Sequence, residues 1–271
     1  MKLYIVGTPI GNLSDMSPRG LQTLSSVDFI AAEDTRVTQK LLRHFEIETP
    51  MISYHEHNKY EKGELIVSRI LSGQSCALVT DAGMPAISDP GEELVKQCCA
   101  AGITIETVPG PTALTTALAV SGLPTGRFTF EGFLTVNKRN RREHLAELKK
   151  EKRTMIFYEA PHKLTTTLKD LYTAFGDREI SIIKELTKIH ETVIRTSLCA
   201  AQSLFEEVSP RGEFVLVLKG YEECPEIIEC TFEQSRRMAL KLVSEGISKS
   251  TAAKQIAKQT DFSKDEIYKS L

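Results

Sequence analysis

The stretch "LVTDAGMPAISDPG" (78–91) runs from an apolar segment straight into a loop of small residues, with two prolines, two glycines and two aspartates. No Gly-x-x-x-x-Gly-Lys-Ser/Thr sequence is present, so the loop is not the phosphate cradle of a nucleoside triphosphatase. An apolar run that stops at such a loop reads as a buried strand whose carboxyl end opens onto a ligand, as in open parallel sheets. The same grammar recurs on both sides. "LYIVG" (3–7) runs into "TPIGNLSD", "FIAAED" (29–34) precedes the amphipathic "TQKLLRHF", and "MISYH" (51–55) precedes "EKGELIVSRILSG". "ITIETV" (103–108) ends in "PGPTALTTAL", and "TMIFYE" (154–159), "EISIIKEL" (179–186) and "EFVLVLKG" (213–220) continue the series. Short apolar runs separated by segments of helical period predict α/β units with a mainly parallel sheet.

Turn residues and aromatics at "SGLPTGRFTFEGFL" (121–134) place a boundary between two α/β halves, and the acidic "YEECPEIIE" (221–229) places another. The expected domains are 1–121, 122–221 and a helical extension, 222–271. In the extension, Ser263 with Glu266 three residues later forms a capping box, and the Ala-Ala-x-x-Ile-Ala spacing before it resembles a helix-turn-helix module.

Composition is that of an ordinary globular chain, 41% hydrophobic and 26% charged over 271 residues. No run of eighteen apolar residues exists, so no membrane span is expected. Six cysteines, Cys76, Cys98, Cys99, Cys199, Cys224 and Cys230, follow no CxxC or framework spacing, which fits reduced thiols in the cytoplasm. The net charge of −2 conceals two basic regions. Residues 138–153 carry eight Lys/Arg against three Glu, and eight bases face four acids from Arg236 onward. Such regions suit a polyanionic partner, although either alone also reads as a solvated helix face.

The loops after the strands carry the functional signal. "GTPIGN" lacks the spacing needed for close approach to a pyrophosphate. Four Gly-, Pro- and Thr-rich strand ends instead present backbone donors and acceptors around a cavity, which suits a cofactor held through main-chain bonds.

Taken together, "GTPIGNL", "AAEDTR", "SYHEHN", "LVTDAGMPAISDPG", "VPGPTA", "FYEAPHK" and "RGEFVLVL" resemble the ribosomal RNA small-subunit methyltransferase I family, within the tetrapyrrole (corrin/porphyrin) methylase superfamily. The resemblance spans residues 2–220 in order. It implies a two-domain α/β fold with a mainly parallel first sheet and a mixed second one, with S-adenosyl-L-methionine in the cleft between the domains. It further implies 2′-O-methylation of a cytidine in the decoding region of small-subunit (16S) ribosomal RNA, the 30S subunit as partner, and a homodimer. It places the cofactor against Pro9, against Asp81, Ala82, Gly83 and Met84, and against Pro109, Gly110, Pro111 and Thr112. On the second domain it points to Tyr158 and Glu159 and to Gly212 and Glu213.

A ribose hydroxyl attacking a sulfonium methyl group benefits from a base. Asp34, directly after a strand, is the first candidate, with Glu33 and His55 as alternatives; Asp34 reads equally well as a helix N-cap. His55 and His57 have the spacing to share one face of a strand, but no third ligand follows and no metal site is expected. Arg19, Arg36, His57, Arg139, Arg141, Arg142 and Lys163 are candidate RNA contacts. A tetrapyrrole C-methyltransferase, which leaves the basic regions without a role, and a non-catalytic ribosome- or RNA-binding factor are the alternative readings.

Overall fold

The computed structural model describes residues 2–207, 210–223 and 230–271; Cys224 and the acidic run 224–229 lie outside the described residues. The first half builds five parallel strands, β1 (Lys2–Val6), β2 (Phe29–Ala32), β3 (Met51–Ser53), β4 (Cys76–Val79) and β5 (Thr104–Val108), in the order β3-β2-β4-β1-β5. Cys76 of the central strand faces Leu3 on one side and Phe29 on the other. Alternation along these strands sends Leu3, Ile5, Phe29, Ala31 and Leu78 to one face and Val6, Ile30, Ala32, Ala77 and Val79 to the other. Both faces are covered at β2 and β4, which is why these strands read as continuous apolar runs rather than alternating ones.

Helices α1 (Pro18–Ser26), α2 (Thr35–His44), α3 (Lys59–Leu71) and α4 (Gly91–Ala100) supply the cover, and α5 (Ala113–Ser121) follows β5. Their starts follow local chemistry. Ser17 caps α1 just before a proline at its first position, and Asp34 caps α2 through the Arg36 N–H. Gly122, at φ 79°, ends α5 in the left-handed conformation.

The second sheet contains β6 (Phe128–Phe133), β7 (Thr154–Glu159), β8 (Glu179–Lys184), β9 (Thr192–Ser197) and β10 (Phe214–Leu218), ordered β6-β7-β10-β8-β9. Only β6 and β7 pair in parallel; the other three pairings are antiparallel, so the sheet is mixed. Helices α6 (Lys138–Glu147), α7 (Leu164–Phe175) and α8 (Leu198–Glu207) belong to this half. Leu164, Leu168 and Leu171 of α7 and Leu198 of α8 pack on Met155, Phe157, Ile180, Ile182 and Leu216. The opposite face of the sheet, Ile156, Ile183, Val215 and Val217, packs on Ala117 and Leu118 of α5 and on Ile10. Helix α5 therefore joins the halves, a join reinforced by Ser181 Oγ donating to the Ser121 carbonyl at 2.7 Å. The two sheets lie in one unit, Met1–Tyr221.

The second unit, Glu222–Leu271, holds α9 (Phe232–Ser244), α10 (Lys249–Ala257) and α11 (Lys264–Lys269) around Ala239, Ala253, Ile256 and Ile267. The Ser263–Glu266 capping box is formed, and a second one links Thr231 to Gln234 at the start of α9. The five described cysteines are free, Cys76 and Cys98 buried among core side chains. Among the described residues no helix is long and apolar enough to cross a membrane.

Candidate active site

The carboxyl ends of β1, β4 and β5 converge where α5 meets the second sheet. Thr8 and Gly83 exchange backbone hydrogen bonds (2.9 and 3.1 Å), tying the loop after β1 to the loop after β4. That second loop is held in an unusual shape. Gly83 has φ 94°, and the non-glycine residues Ala86 (φ 67°) and Ser88 (φ 65°) are also left-handed. Asp89 fastens it, its Oδ1 accepting from the Ala86 N–H (2.9 Å) and the Gly91 N–H (2.7 Å). Left-handed non-glycine backbone of this kind persists only where its surroundings over-determine it, and it concentrates at binding sites.

A cavity of about 420 Å³ opens beside this loop. The first half contributes Thr80 to Met84, Ile87 to Asp89, Thr112 to Leu114, Ile10 and Glu33. The second sheet contributes Phe133, the 158–161 segment, Ile183 and Leu186, and Glu213 to Val215. Tyr158 stacks edge-on against Phe130 and Phe133 (4.9 and 5.6 Å between centroids), forming an aromatic wall. Burial pushes the Tyr158 phenol above its usual range, so it stays a neutral hydrogen-bonding group.

The charge of the lining is one-sided. Glu33, Asp81, Asp89, Glu159 and Glu213 are acidic, and the lining contains no Lys, Arg or His. Burial raises the carboxyl groups of both Asp81 and Asp89, and the Glu33 carboxylate raises them further. Glu33 accepts from Thr80 Oγ1 at 2.6 Å. Glu159 is only 4% exposed and is satisfied by the Ala160 N–H (2.8 Å) and by Thr167 Oγ1.

Of the residues expected at a cofactor, the structure gathers Asp81, Ala82, Gly83, Met84, Thr112, Tyr158, Glu159 and Glu213 around this cavity. Pro9 faces a separate hollow of about 270 Å³ against α2, which shares only Thr80 and Asp81 with the cavity. Pro109, Gly110 and Pro111 lie outside the lining. Gly110 serves a different end: a Cβ there would fall 2.8–2.9 Å from Gly7 backbone atoms, so its smallness lets two strand-end loops touch. Gly212 lies under the Glu185 side chain rather than at the cavity.

Asp34 is placed as a cap, not at the cavity. Its carboxylate accepts from the Arg36 N–H (2.8 Å) and is gripped by the Arg36 guanidinium through Nε and Nη2 (2.6–3.2 Å). The side-chain and main-chain bonds from Arg36 draw its pKa down to about 2, which leaves a poor proton acceptor. The Asp34 N–H donates to Asp81 Oδ1 at 3.0 Å, so Asp34 helps orient a cavity residue. His55 and His57 sit beyond the end of β3, in a turn where their rings meet edge-on at 5.9 Å, and neither lines the cavity.

The candidate RNA contacts divide. Arg19 donates to the Thr107 carbonyl at 3.2 Å, and Arg139 pairs with Glu143 at 2.8 Å on the surface of α6. Arg141 is committed inward: its side chain, 11% exposed, pairs with Asp170 at 2.6 Å and donates to Thr167 Oγ1 at 2.7 Å. It is a strut between α6 and α7, a role its place in a basic run hid. Arg142 and Lys163 line one groove between these helices. Sequence reasoning missed the cavity residues Ile10, Ser88, Asp89, Leu114, Phe133, Ile183, Leu186 and Phe214. Asp89 lay in plain view within the opening loop, whereas the apolar residues carry no signal separating a cavity wall from a core.

Comparison with known proteins agrees with this architecture. The sequence model of the tetrapyrrole (corrin/porphyrin) methylases matches residues 2–202. The chain is 48% identical over 268 residues to the ribosomal RNA small subunit methyltransferase I of Synechocystis sp., covering 98% of this chain and 95% of that protein. It is 49% identical over 221 residues to the protein of the same name from Thermotoga maritima, covering 82% of this chain and 99% of that one. In structure it is similar to a uroporphyrin-III-C-methyltransferase from Thermus thermophilus, with a TM-score of 0.58 at 18% identity over 80% of this chain and 94% of the other; at that identity the likeness speaks for the fold. The two sheets, the strand-end loops and these relatives together place the chain in the tetrapyrrole (corrin/porphyrin) methylase family, among the ribosomal RNA small subunit methyltransferase I proteins.

Proposed function

We propose that the chain transfers a methyl group from S-adenosylmethionine to the 2′-hydroxyl of a cytidine in the decoding region of small-subunit ribosomal RNA. The observation that carries this reading is the acid-lined, base-free cavity. A lining with five carboxyl-bearing residues, of which Glu213 is paired at 2.9 Å with Lys188 outside it, repels phosphate and suits the sulfonium and ammonium of a donor whose own carboxylate main-chain N–H groups can take. Its volume lies within the roughly 300–1,000 Å³ of small-molecule sites. The aromatic wall at Tyr158 and Phe133 offers an adenine a face and an edge. The residues present fit the cofactor.

When bound, S-adenosylmethionine supplies an electrophilic methyl carbon on a positively charged sulfur. The chain's work is to hold the ribose oxygen in line with that carbon and to exclude water. Main-chain groups of the 80–84 and 112–114 segments and the Glu159 carboxylate fix position within the cavity. Glu33 is the carboxylate suited to take the hydroxyl proton: it lines the cavity and is oriented by Thr80 Oγ1. Asp34 is not, because Arg36 holds its carboxylate. Two copies of the chain form the working enzyme in the cytoplasm, and sedimentation of the purified protein tests the dimer.

The deciding experiment incubates the purified chain with 30S subunits and S-adenosylmethionine and maps the product by nucleoside mass spectrometry. A ribose-methylated cytidine is expected. A base-methylated nucleotide, or methylation of uroporphyrin III with none on the subunit, would overturn the reading.

A further inference from the structure

The groove between α6 and α7 is larger than the cavity, about 890 Å³, and opposite in charge. Its rims carry Lys138, Arg142 and Lys149 on one side and His162, Lys163 and Lys169 on the other. Lys138 and Arg142 stand four residues apart and share one face of α6, and Lys149, in the short 3-10 turn that follows the helix, lines the same groove. No described ion pair engages any of these lysines or Arg142. The one acid in the lining, Asp170, is already spent on Arg141. Thr135, Thr166 and Thr173 are exposed, and buried Leu145 with half-buried Ala174 lies at the floor.

Two chain segments run from the cavity into this groove. The 159–161 segment lines the cavity and His162 and Lys163 line the groove. Phe133 lines the cavity, and Thr135 and Val136 line the groove. Beneath the surface, one hydrogen-bonded chain links the two sites: Glu159 of the cavity accepts from Thr167, which accepts from Arg141, which pairs with Asp170. A strand lying in the groove would thus meet the cavity at its end, and Arg141 keeps the rims apart at a fixed width.

We propose that this groove is a binding track for the phosphodiester backbone of the substrate RNA. It leads the strand to the acidic cavity, where only the target ribose enters. The proposal rests on the ribosomal RNA reading and adds where the strand runs. Basic rims with hydroxyl donors suit phosphate oxygens, and the small apolar residues between them suit sugar.

The test compares the triple variant Lys138→Gln/Arg142→Gln/Lys149→Gln with wild type and with Arg43→Gln/Lys96→Gln, two exposed bases on α2 and α4 of the first half. Binding to 30S subunits is measured across KCl concentrations, and S-adenosylmethionine binding is measured by calorimetry. Each lost phosphate contact removes about 0.7–0.9 from the slope of log K against log salt, so the triple variant should lose about 2–3 in slope. Its affinity at 0.1 M salt should fall about 100–1,000-fold, the slope loss taken over the decade from about 1 M. S-adenosylmethionine affinity should match wild type, which shows that the fold and cavity are intact. A triple variant whose slope and affinity match those of wild type would overturn the track while leaving the proposed reaction standing. Failure of the wild-type chain to bind the subunit at all would overturn both. If the triple variant unfolds, Lys163→Gln/Lys169→Gln on the opposite rim makes the same test, with an expected slope loss of about 1.4–1.8.

Discussion

Gly110→Ala adds one methyl group where two strand-end loops already touch. The new carbon would lie 2.8 Å from Gly7 Cα and 2.9 Å from its carbonyl carbon and oxygen. Carbon atoms in comfortable contact sit about 3.5–4.0 Å apart, so the loops must separate by roughly 1 Å. Both neighbours are main chain, and no side chain can swing aside to absorb the strain. The expected cost therefore falls in the upper part of the overpacking range, about 2–3 kcal/mol. In a unit of this size that lowers Tm by about 4–12 °C. Thr112 of the cavity is two residues away, so cofactor affinity should fall as well. Gly102→Ala supplies the comparison: Gly102 has φ +69° and nothing within 4 Å of an added Cβ, so it tests backbone strain alone, about 1–2 kcal/mol, with no effect on the cofactor. Thermal unfolding and calorimetry read both variants. A Gly110→Ala protein within about 0.5 kcal/mol of wild type, with unchanged affinity, would refute the close-approach argument.

Asp34→Ser preserves the α2 cap and should leave methylation close to wild type, whereas a fall of about 100-fold or more would restore Asp34 as a base. Because its folded pKa is depressed, the stabilisation from Asp34 is fully present above about pH 4 and lost as pH falls through about 2; the stability gap between wild type and Asp34→Ala should close over that window in acid titrations. Thr167→Val strips a partner from buried Glu159 and from Arg141 together, so urea unfolding should show a loss of about 1–3 kcal/mol that Thr167→Ser largely restores. Ser263→Ala breaks the α11 capping box and should weaken the 222–271 unit by about 0.5–2 kcal/mol, seen as faster amide exchange in α11 with no change in β1 or β4.

What the sequence made legible follows from burial. The strands covered on both faces, such as "CALV" and "FVLVL", announce themselves as apolar runs. β6 and β9 did not, because they are the two edges of the second sheet: their half-buried patterns mix Thr, Glu, Gly and Arg with apolar residues. The opening loop reads as a strand end facing a ligand, and Asp81 to Met84 all line a cavity. Asp34 and Gly110 show the limit. An aspartate after a strand serves as a cap or as a base, and a glycine in a strand-end loop admits a ligand or another loop. Only distances between residues far apart in sequence separate those uses. The same holds for Arg141, whose neighbours in the basic run face solvent while it reaches Asp170, 29 residues on.

The acid-lined cavity has a consequence for turnover. In the proposed reaction methyl transfer takes the positive charge off sulfur, leaving a neutral thioether sulfur while the ammonium keeps its charge. A unit charge about 5 Å from one carboxylate is worth about 3 kcal/mol at an effective dielectric constant of 20. Shared among several partly neutralised groups, even a fraction of that separates the two ligands by an order of magnitude in affinity. If the proposed reaction takes place in this cavity, the carboxylates keep the ammonium of the spent cofactor but lose the charge on its sulfur, so the chemistry itself loosens used cofactor relative to fresh.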